Sequence, residues 1–323
     1  MLKKDFSRIK IVGGIGNQLF ILFFGFAVSS QLRTKLLVDD KQVYFGSNKT
    51  RRMEVSKLEF SGIDVEYRRS ILRLFVFFMK INLIRRILWN IFVPKQSISE
   101  KEINSKDFKF SSRQNYSGYF QDWFYADFLN ETNFDLSLKL KSPSSQYLYL
   151  AKEMKNITPI CVHVRLGDYL DFPDVYSILP EYYFLNSIEY LKIKNSQQIW
   201  LISENRDQVR EFYPKLYKLS DKVIDKKFGL SDFENFLLLS NCSKLIASNS
   251  TYSMWAAWFV NKNKHQAIVP LQFGIKNHEA KLSDERWDRY DLEKKIIVPA
   301  SANSFTYLAK KSEFLSKFNA ISI

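Results

Sequence analysis

The sequence predicts an α/β protein with two Rossmann-like domains. Its 323 residues exceed what one hydrophobic core usually supports. Two stretches, at 8–31 and 160–192, each open with a buried strand that runs through a glycine turn towards a helix. Strands that alternate with helices in this way favour parallel sheets. We expect domains at residues 1–150 and 151–323, with a Ser/Pro-rich turn at 141–145 near the boundary.

The first strand, predicted at 8–12, leads into the glycine loop 13–17 and a helix at 18–31. Backbone N–H groups at such a helix start can bind an anion, although a tight turn alone also explains the glycines. The loop is not a dinucleotide fingerprint, because Leu19 replaces the third glycine, and it lacks the Gly-Lys-Ser/Thr of a Walker A motif. Asp39 could still bind a ribose, which leaves a nicotinamide-dependent oxidoreductase as a distant alternative.

Residues 160–170, ICVHVRLGDYL, form the most informative stretch of the chain. In an extended strand Cys161, His163 and Arg165 share one face. Arg165 then lies at the carboxyl end of the strand, where open α/β sheets bind ligands, and a guanidinium matches phosphate oxygens. Asp168 follows the glycine turn and could orient that cation. A solvated arginine at an ordinary strand end is equally compatible with this stretch alone.

The later part of the chain shows a clear alternation of strands and helices. Strands are predicted at 35–38, 198–202, 223–224, 244–247 and 266–270, and helices at 146–155, 180–192, 231–241 and 252–261. Ser231 and Glu234 form a capping box at one helix start. Polar groups follow two strands, Ser203–Asn205 and Ser248–Thr251. The second group stands at a helix start and suits a diphosphate, with plain helix capping as the alternative.

Composition narrows the class of protein and of partner. Hydrophobic residues make up 46% and aromatic residues 16% of the chain, which excludes a disordered protein. The formal net charge of +14 favours a nucleotide, a nucleic acid or an acidic membrane surface as partner. Cys161 and Cys242 lie in apolar runs, which predicts buried thiols in a reducing compartment. The three histidines lack metal-ligand spacing, so we expect no zinc site.

Two segments bear on the cellular location. No signal peptide pattern is visible, and the longest apolar run, Leu19–Val28, is short for a membrane span, so we expect a cytoplasmic protein. Between Ile71 and Val93 large apolar residues interleave with Arg and Lys. This pattern is typical of a basic amphipathic helix that lies on an acidic membrane face. A helix packed in the first domain with a solvated basic edge is the alternative.

Three segments together resemble the α-1,2-fucosyltransferase family, glycosyltransferase family 11. They are GGIGNQLF at 13–20, VHVRLGDY at 162–169 and IASNSTYSMWAAW at 246–258. Two weaker matches, GYFQ at 118–121 and PEYY at 180–183, fall in the expected order between them. Taken without the resemblance, the aromatic and polar cluster at 118–124 fits a sugar or base contact as well as a core segment.

The resemblance implies a GT-B fold, in which two Rossmann-like domains face each other across a cleft. The first domain would bind the acceptor and the second GDP-fucose. A galactoside hydroxyl of a surface glycan, of the O-antigen or capsule type, would attack the donor with inversion and form an α-1,2-fucoside. No metal or cofactor and no nucleic acid are expected. The partners would be a GDP-sugar and an oligosaccharide or lipid-linked glycan, with peripheral contact to an acidic membrane.

The resemblance also implies roles in the donor domain. Arg165 would contact the β-phosphate of the donor, and His163 would line its pocket. Asn249, Ser250 and Thr251 would bind the diphosphate or the ribose. Because no metal is expected, these fixed donors would meet the charge on the departing diphosphate.

Further roles fall on the first domain and on the general base. Gly14, Gly16 and Asn17 would close over the donor from the first domain. Three carboxylates compete for the role of catalytic base, and the sequence does not rank them: Asp168, Asp171 and Asp174.

The chain departs from the family pattern at two positions. Leu166 stands where a second arginine is usual, and Glu204 stands in place of an aspartate that would face the guanosine. The loss of a cation beside the phosphates leaves another GDP-deoxysugar, such as colitose, as the alternative donor. The acceptor glycan is not readable from the sequence.

Overall fold

A computed structural model of the protein describes residues 5–39, 53–60, 64–68, 97–132, 134–172, 176–192, 197–272, 282–301 and 305–318. The chain divides into two compact units. The first unit comprises Met1–Lys139 and Ser304–Ile323, and the second comprises Leu140–Asn303. The basic segment between Ile71 and Val93 lies outside the described residues.

The first unit is built on a parallel sheet of five strands. The strands of this sheet are β1 (Phe6–Lys10), β2 (Lys35–Asp39), β4 (Val65–Arg68), β5 (Ile98–Ser99) and β6 (Asn115–Ser117). The short strand β3 (Leu58–Glu59) lies outside this sheet, and β7 (Lys139–Leu140) follows at the unit boundary. Its helices are α1 (Ile15–Leu32), α2 (Glu100–Ile103) and α3 (Phe124–Glu131), with a 3-10 turn at Glu54–Lys57. The sheet order is β4-β2-β1-β6-β5, and each neighbouring pair is parallel.

Helix α1 is the core of the first unit. Its apolar side chains are buried almost all round, and Gly25 lets the helix approach the sheet, because a Cβ there would lie 2.9 Å from Ile9 and 3.0 Å from Leu36. By length and composition α1 could cross a membrane, but 78% of its apolar window is buried inside the structure. Burial of that kind is typical of the central helix of a folded domain.

The C-terminal helix α11 (Phe305–Ser316) belongs to the first unit, although the predicted boundary assigned it to the second. Phe314 packs against Phe110 and Phe128, with ring centroids 5.6 and 5.2 Å apart. Lys310 forms a salt bridge of 2.7 Å with Asp122. Burial of these rings in the aromatic core of the first unit explains why the chain returns to it.

The second unit has a sheet of seven strands. They are β8 (Ile160–Val164), β9 (Ile199–Ser203), β10 (Lys222–Ile224), β11 (Lys244–Ile246), β12 (Gln266–Pro270), β13 (Asp288–Asp291) and β14 (Ile296–Val298). The helices are α4 (Ser145–Ile157), α5 (Gly167–Asp171), α6 (Glu181–Leu191), α7 (Arg206–Phe212), α8 (Pro214–Leu219), α9 (Asp232–Asn241) and α10 (Thr251–Lys262), with a 3-10 turn at Lys226–Phe228. Helix α4 begins before residue 151, the predicted start of this domain, and belongs to the second unit. Its cap residue Ser144 donates its backbone N–H to Glu234 of the same unit.

The strand order β10-β9-β8-β11-β12-β13-β14 is the doubly wound order of a Rossmann fold. All pairs are parallel except β13 with β14. The chain winds outwards from β8 in one direction and then from β11 in the other. Both units are therefore Rossmann-like. This confirms the predicted α/β class and the GT-B type of fold. The two cysteines are free and buried, as predicted.

Candidate functional site

The carboxyl ends of β8 and β11 form the switch point of the second sheet. The two strands are parallel neighbours, with Val162 opposite Ile246. Arg165 follows β8 directly, and the loop Ser248–Thr251 follows β11. Doubly wound sheets bind ligands at this point, because the connections of the two strands leave to opposite faces and open a crevice. The structure therefore brings together two segments that the sequence assigned to the diphosphate.

The loop Ser248–Thr251 is held by hydrogen bonds on several sides. Ser250 caps helix α10 by accepting a hydrogen bond from the backbone N–H of Ser253. The Asn249 amide donates to the Ser177 carbonyl at 2.7 Å, and the Tyr169 hydroxyl donates to the Asn249 carbonyl at 2.8 Å. Asn249 and Ser250 are buried. These hydrogen bonds fix the conformation of the loop.

His163 joins strand β8 to this loop through hydrogen bonds. Its Nδ1 atom is hydrogen-bonded to the hydroxyl of Ser253 and, at 3.1 Å, to that of Ser248. Ser253 in turn accepts from the Ser248 backbone N–H at 3.1 Å. Burial, and after it the charge of Arg165, lowers the pKa of His163 to about 3. The imidazole is therefore neutral at physiological pH, and the structure places it in the interior, where it joins β8 to the loop.

Arg165 is paired with a carboxylate of the neighbouring strand end. Its guanidinium forms a salt bridge with Glu204, and both side chains are partly exposed. The register that sets Val164 opposite Ser203 brings the two residues together. Gly167, with φ +22°, leaves room for the carboxylate, because a Cβ there would lie 2.6 Å from the Glu204 Oε2 atom.

Glu204 thus takes the orienting role that the sequence offered to Asp168. Asp168 lies in helix α5, and its side chain lies outside the described part of the chain. Among the other two candidate bases, Asp171 ends α5 and is exposed, whereas Asp174 lies outside the described residues.

In the first unit, the glycine loop follows β1 and begins helix α1. Gly13 has φ +75°, Gly14 is the cap residue and Gly16 is buried in the first turn. The Asn17 amide oxygen accepts a hydrogen bond from the Gln121 amide at 3.0 Å. Gln18 donates to the Gly13 carbonyl at 3.0 Å and accepts from the backbone N–H of residue 54 at 2.9 Å, so the loop is anchored internally.

A family profile described as glycosyl transferase family 11 matches residues 9–286. The chain belongs to glycosyl transferase family 11. This membership confirms the resemblance inferred from the motifs, makes the protein a glycosyltransferase and replaces the nicotinamide-dependent alternative.

Two relatives of this family 11 chain come from Escherichia coli. An alpha-1,2-colitosyltransferase is 26% identical over 299 residues, which cover 87% of this chain and 98% of the relative. The O-antigen biosynthesis glycosyltransferase WbnK is 23% identical over 305 residues, with 85% and 97% covered.

Two solved structures align with lower similarity. The fucosyltransferase NodZ from Bradyrhizobium has a TM-score of 0.44 at 13% identity and covers 80% of this chain and 94% of its own. A glycosyl transferase family 9 protein from Veillonella parvula has a TM-score of 0.44 at 12% identity, with 97% and 93% covered.

Several residues of this family 11 site were missed in the sequence. Ser253 and Tyr169 lie inside helices and carry no motif signal beyond the family pattern, yet both bind the Ser248–Thr251 loop. Tyr183 donates to the Ala247 carbonyl at 2.6 Å and fixes the start of the same loop.

Within the described residues no group of three His, Cys, Asp or Glu could hold a metal. Metal independence stays a prediction.

Proposed function

We propose that this glycosyltransferase moves L-fucose from GDP-β-L-fucose to the 2-hydroxyl of a galactoside in a surface glycan, with inversion. The main support for the proposal is the position of Arg165 and the Ser248–Thr251 loop, which follow neighbouring strands at the switch point of the second sheet. A guanidinium and a rigid helix-start loop together suit a diphosphate. Family membership supplies the reaction class.

In the proposed reaction the acceptor hydroxyl oxygen bonds to the anomeric carbon as the bond from that carbon to the phosphate oxygen breaks. The proton of the hydroxyl passes to a carboxylate, for which Asp168, Asp171 and Asp174 are the candidates. Arg165 and the backbone donors of the loop stabilise the negative charge that builds on GDP. His163, neutral and buried, keeps the loop in place.

Leu166 makes the phosphate site depend on Arg165. Its side chain is buried in the core cluster of the second unit, together with Val164 and Tyr183. At this position the family pattern would place a second cation. We therefore propose that the diphosphate charge is met here by one strand-end arginine and by backbone donors.

Colitose is the second candidate sugar. It is fucose without the 3-hydroxyl group, and the colitosyltransferase relative aligns over 87% of this chain. Both sugars would be carried by GDP, so Arg165 and the Ser248–Thr251 loop would bind the diphosphate of either donor. The two candidates differ in the groups that contact carbon 3 of the sugar.

A donor screen tests the proposal. Purified protein is incubated with GDP-fucose, GDP-colitose or UDP-galactose, with and without β-galactoside acceptors, and released nucleotide is measured. We expect acceptor-dependent release of GDP from GDP-fucose, and NMR of the product should show an α-1,2 linkage. Turnover of GDP-colitose alone would select the second candidate, and turnover of UDP-galactose alone would contradict the proposal.

We also propose that the protein acts at the cytoplasmic membrane face, where lipid-linked glycans are assembled. The support is the basic, apolar composition between Ile71 and Val93. Charge reversal of Arg85 and Arg86 should abolish flotation with liposomes that contain acidic lipid. Equal flotation of the variant and the unmodified protein would contradict this location.

A further inference from the structure

A second switch point lies in the first unit. Strands β1 and β6 are parallel neighbours, with Ile9 opposite Tyr116, and they stand between the two halves of the order β4-β2-β1-β6-β5. The glycine loop with Asn17 follows β1, and the segment 118–121 follows β6. Their carboxyl ends therefore meet at the place where an open α/β sheet binds a ligand.

The segment 118–121 is strained and firmly held. Phe120 has φ 49°, which is unfavourable for a bulky residue and is found where the surroundings impose it. The Phe120 ring stacks on Phe24 at 3.8 Å between centroids. The Glu100 carboxylate accepts the backbone N–H groups of Tyr119 and Phe120 at 3.2 and 3.0 Å. A Cβ at Gly118 would lie 2.9 Å from that carboxylate.

This conformation displays two side chains of different chemistry. Phe120 is buried, whereas the Tyr119 ring beside it is 46% exposed. Gln121 is half-buried and donates to Asn17 at 3.0 Å. This bond uses the NH₂ group of Gln121 and the side-chain oxygen of Asn17. The other atoms of the two amides are the side-chain oxygen of Gln121, an acceptor, and the NH₂ group of Asn17, a donor. Sugar hydroxyls both donate and accept, and an aromatic ring covers the C–H face of a pyranose.

Two acidic side chains that the structure describes beside this segment are engaged in the fold. Glu100 accepts backbone N–H groups, and Asp122 pairs with Lys310 at 2.7 Å. The groups displayed by Tyr119, Gln121 and Asn17 are uncharged. The ligand that fits them is a neutral sugar, in contrast to the diphosphate that suits Arg165.

We propose that Tyr119, Gln121 and Asn17 form the binding site for the acceptor galactoside, an inference that rests on the proposed function. The Tyr119 ring packs on one face of the pyranose, and the two amides bind its hydroxyl groups. The proposal assigns Asn17 to the acceptor, whereas the family resemblance placed it with the donor.

Acceptor kinetics and direct binding test the proposal with Tyr119→Ala and Gln121→Ala. We expect each substitution to raise the acceptor KM about 10-fold, on the scale of one or two lost sugar contacts, and to leave the GDP dissociation constant unchanged. Tyr149→Ala is the matched control, because Tyr149 is an exposed tyrosine on α4 of the second unit. Thermal unfolding of each variant confirms folding, and exposed Tyr119 is not needed for the core.

The same variants separate this inference from the proposed function. Saturation-transfer NMR with methyl β-galactoside should show binding to the unmodified protein and to Tyr149→Ala, and loss of the signal in Tyr119→Ala. If the unmodified protein transfers sugar but both variants keep its acceptor KM and its NMR signal, the site is wrong and the function stands. If the unmodified protein transfers no deoxysugar while the galactoside signal still depends on Tyr119, the proposed function fails and the sugar site stands.

Discussion

Replacing Ser253 by alanine should loosen the loop that follows β11. The Ser253 hydroxyl is fully buried, accepts the backbone N–H of Ser248 at 3.1 Å and is hydrogen-bonded to His163. The substitution removes the partner of one buried N–H and one of the two partners of the imidazole. Each buried polar group that loses its partner costs about 1–3 kcal/mol, so we expect a loss of about 2–4 kcal/mol in the free energy of unfolding.

Urea unfolding followed by tryptophan fluorescence measures this loss, because Trp255 is buried in the same helix α10. Melting should occur about 5–15 °C lower, given about 2–4 °C per kcal/mol for a domain of this size. GDP affinity should fall as well, because the loop loses its support. The control is Ser301→Ala, an exposed hydroxyl of the same unit with a long contact of 3.4 Å. A Ser253→Ala protein within 0.5 kcal/mol of the unmodified protein, with unchanged GDP affinity, would refute the reasoning.

Three further predictions concern charge and metal. The folded-state pKa of His163 is about 3 and lies below the unfolded value of about 6.5. Protons therefore bind preferentially to the unfolded chain, and the free energy of unfolding should fall by up to about 1.4 kcal/mol per pH unit from pH 6.5 towards 3. His163→Asn should remove that part of the slope in acid titrations, and an unaltered slope would contradict the burial. Glu204→Gln removes a negative charge beside Arg165 and should tighten GDP binding by about 3–10-fold at low salt and less at high salt; weaker binding would show that Glu204 contacts the donor itself. EDTA should leave sugar transfer unchanged, and loss of activity restored by Mg²⁺ would disprove metal independence.

Local signals explain how much of the fold was predictable. The strand β8 was predicted at 160–165 from its apolar alternation, and the capping box of Ser231 and Glu234 is present as predicted. Strands β13 and β14 were missed. The sequence of β13, Asp288–Asp291, is polar, and the segment becomes a strand because it pairs with β12. Pairing of that kind depends on residues distant in the chain, which a local pattern does not show.

The contacts of the candidate site also depend on residues that are distant in the chain. The motifs located Arg165 and the loop after β11, but not their partners. Glu204 reaches Arg165 through the strand register, 39 residues along the chain, and Ser253 meets His163 across 90 residues. Gln121 meets Asn17 across 104 residues. In each case both residues have an ordinary local explanation, as a turn, a helix surface or a loop, and only the sheet order brings them together.

The most direct test of the diphosphate anchor is the transfer rate of Arg165→Ala. Removal of one preorganised donor to a developing charge lowers kcat by about 100–1,000-fold, or about 2.7–4 kcal/mol. Arg210→Ala is the control, because Arg210 is an exposed arginine on α7 that pairs with Asp207. We expect Arg165→Ala to lose at least 100-fold in kcat with the donor sugar while Arg210→Ala keeps the rate of the unmodified protein. A folded Arg165→Ala enzyme that retains more than a tenth of the rate and the same GDP affinity would contradict the anchor.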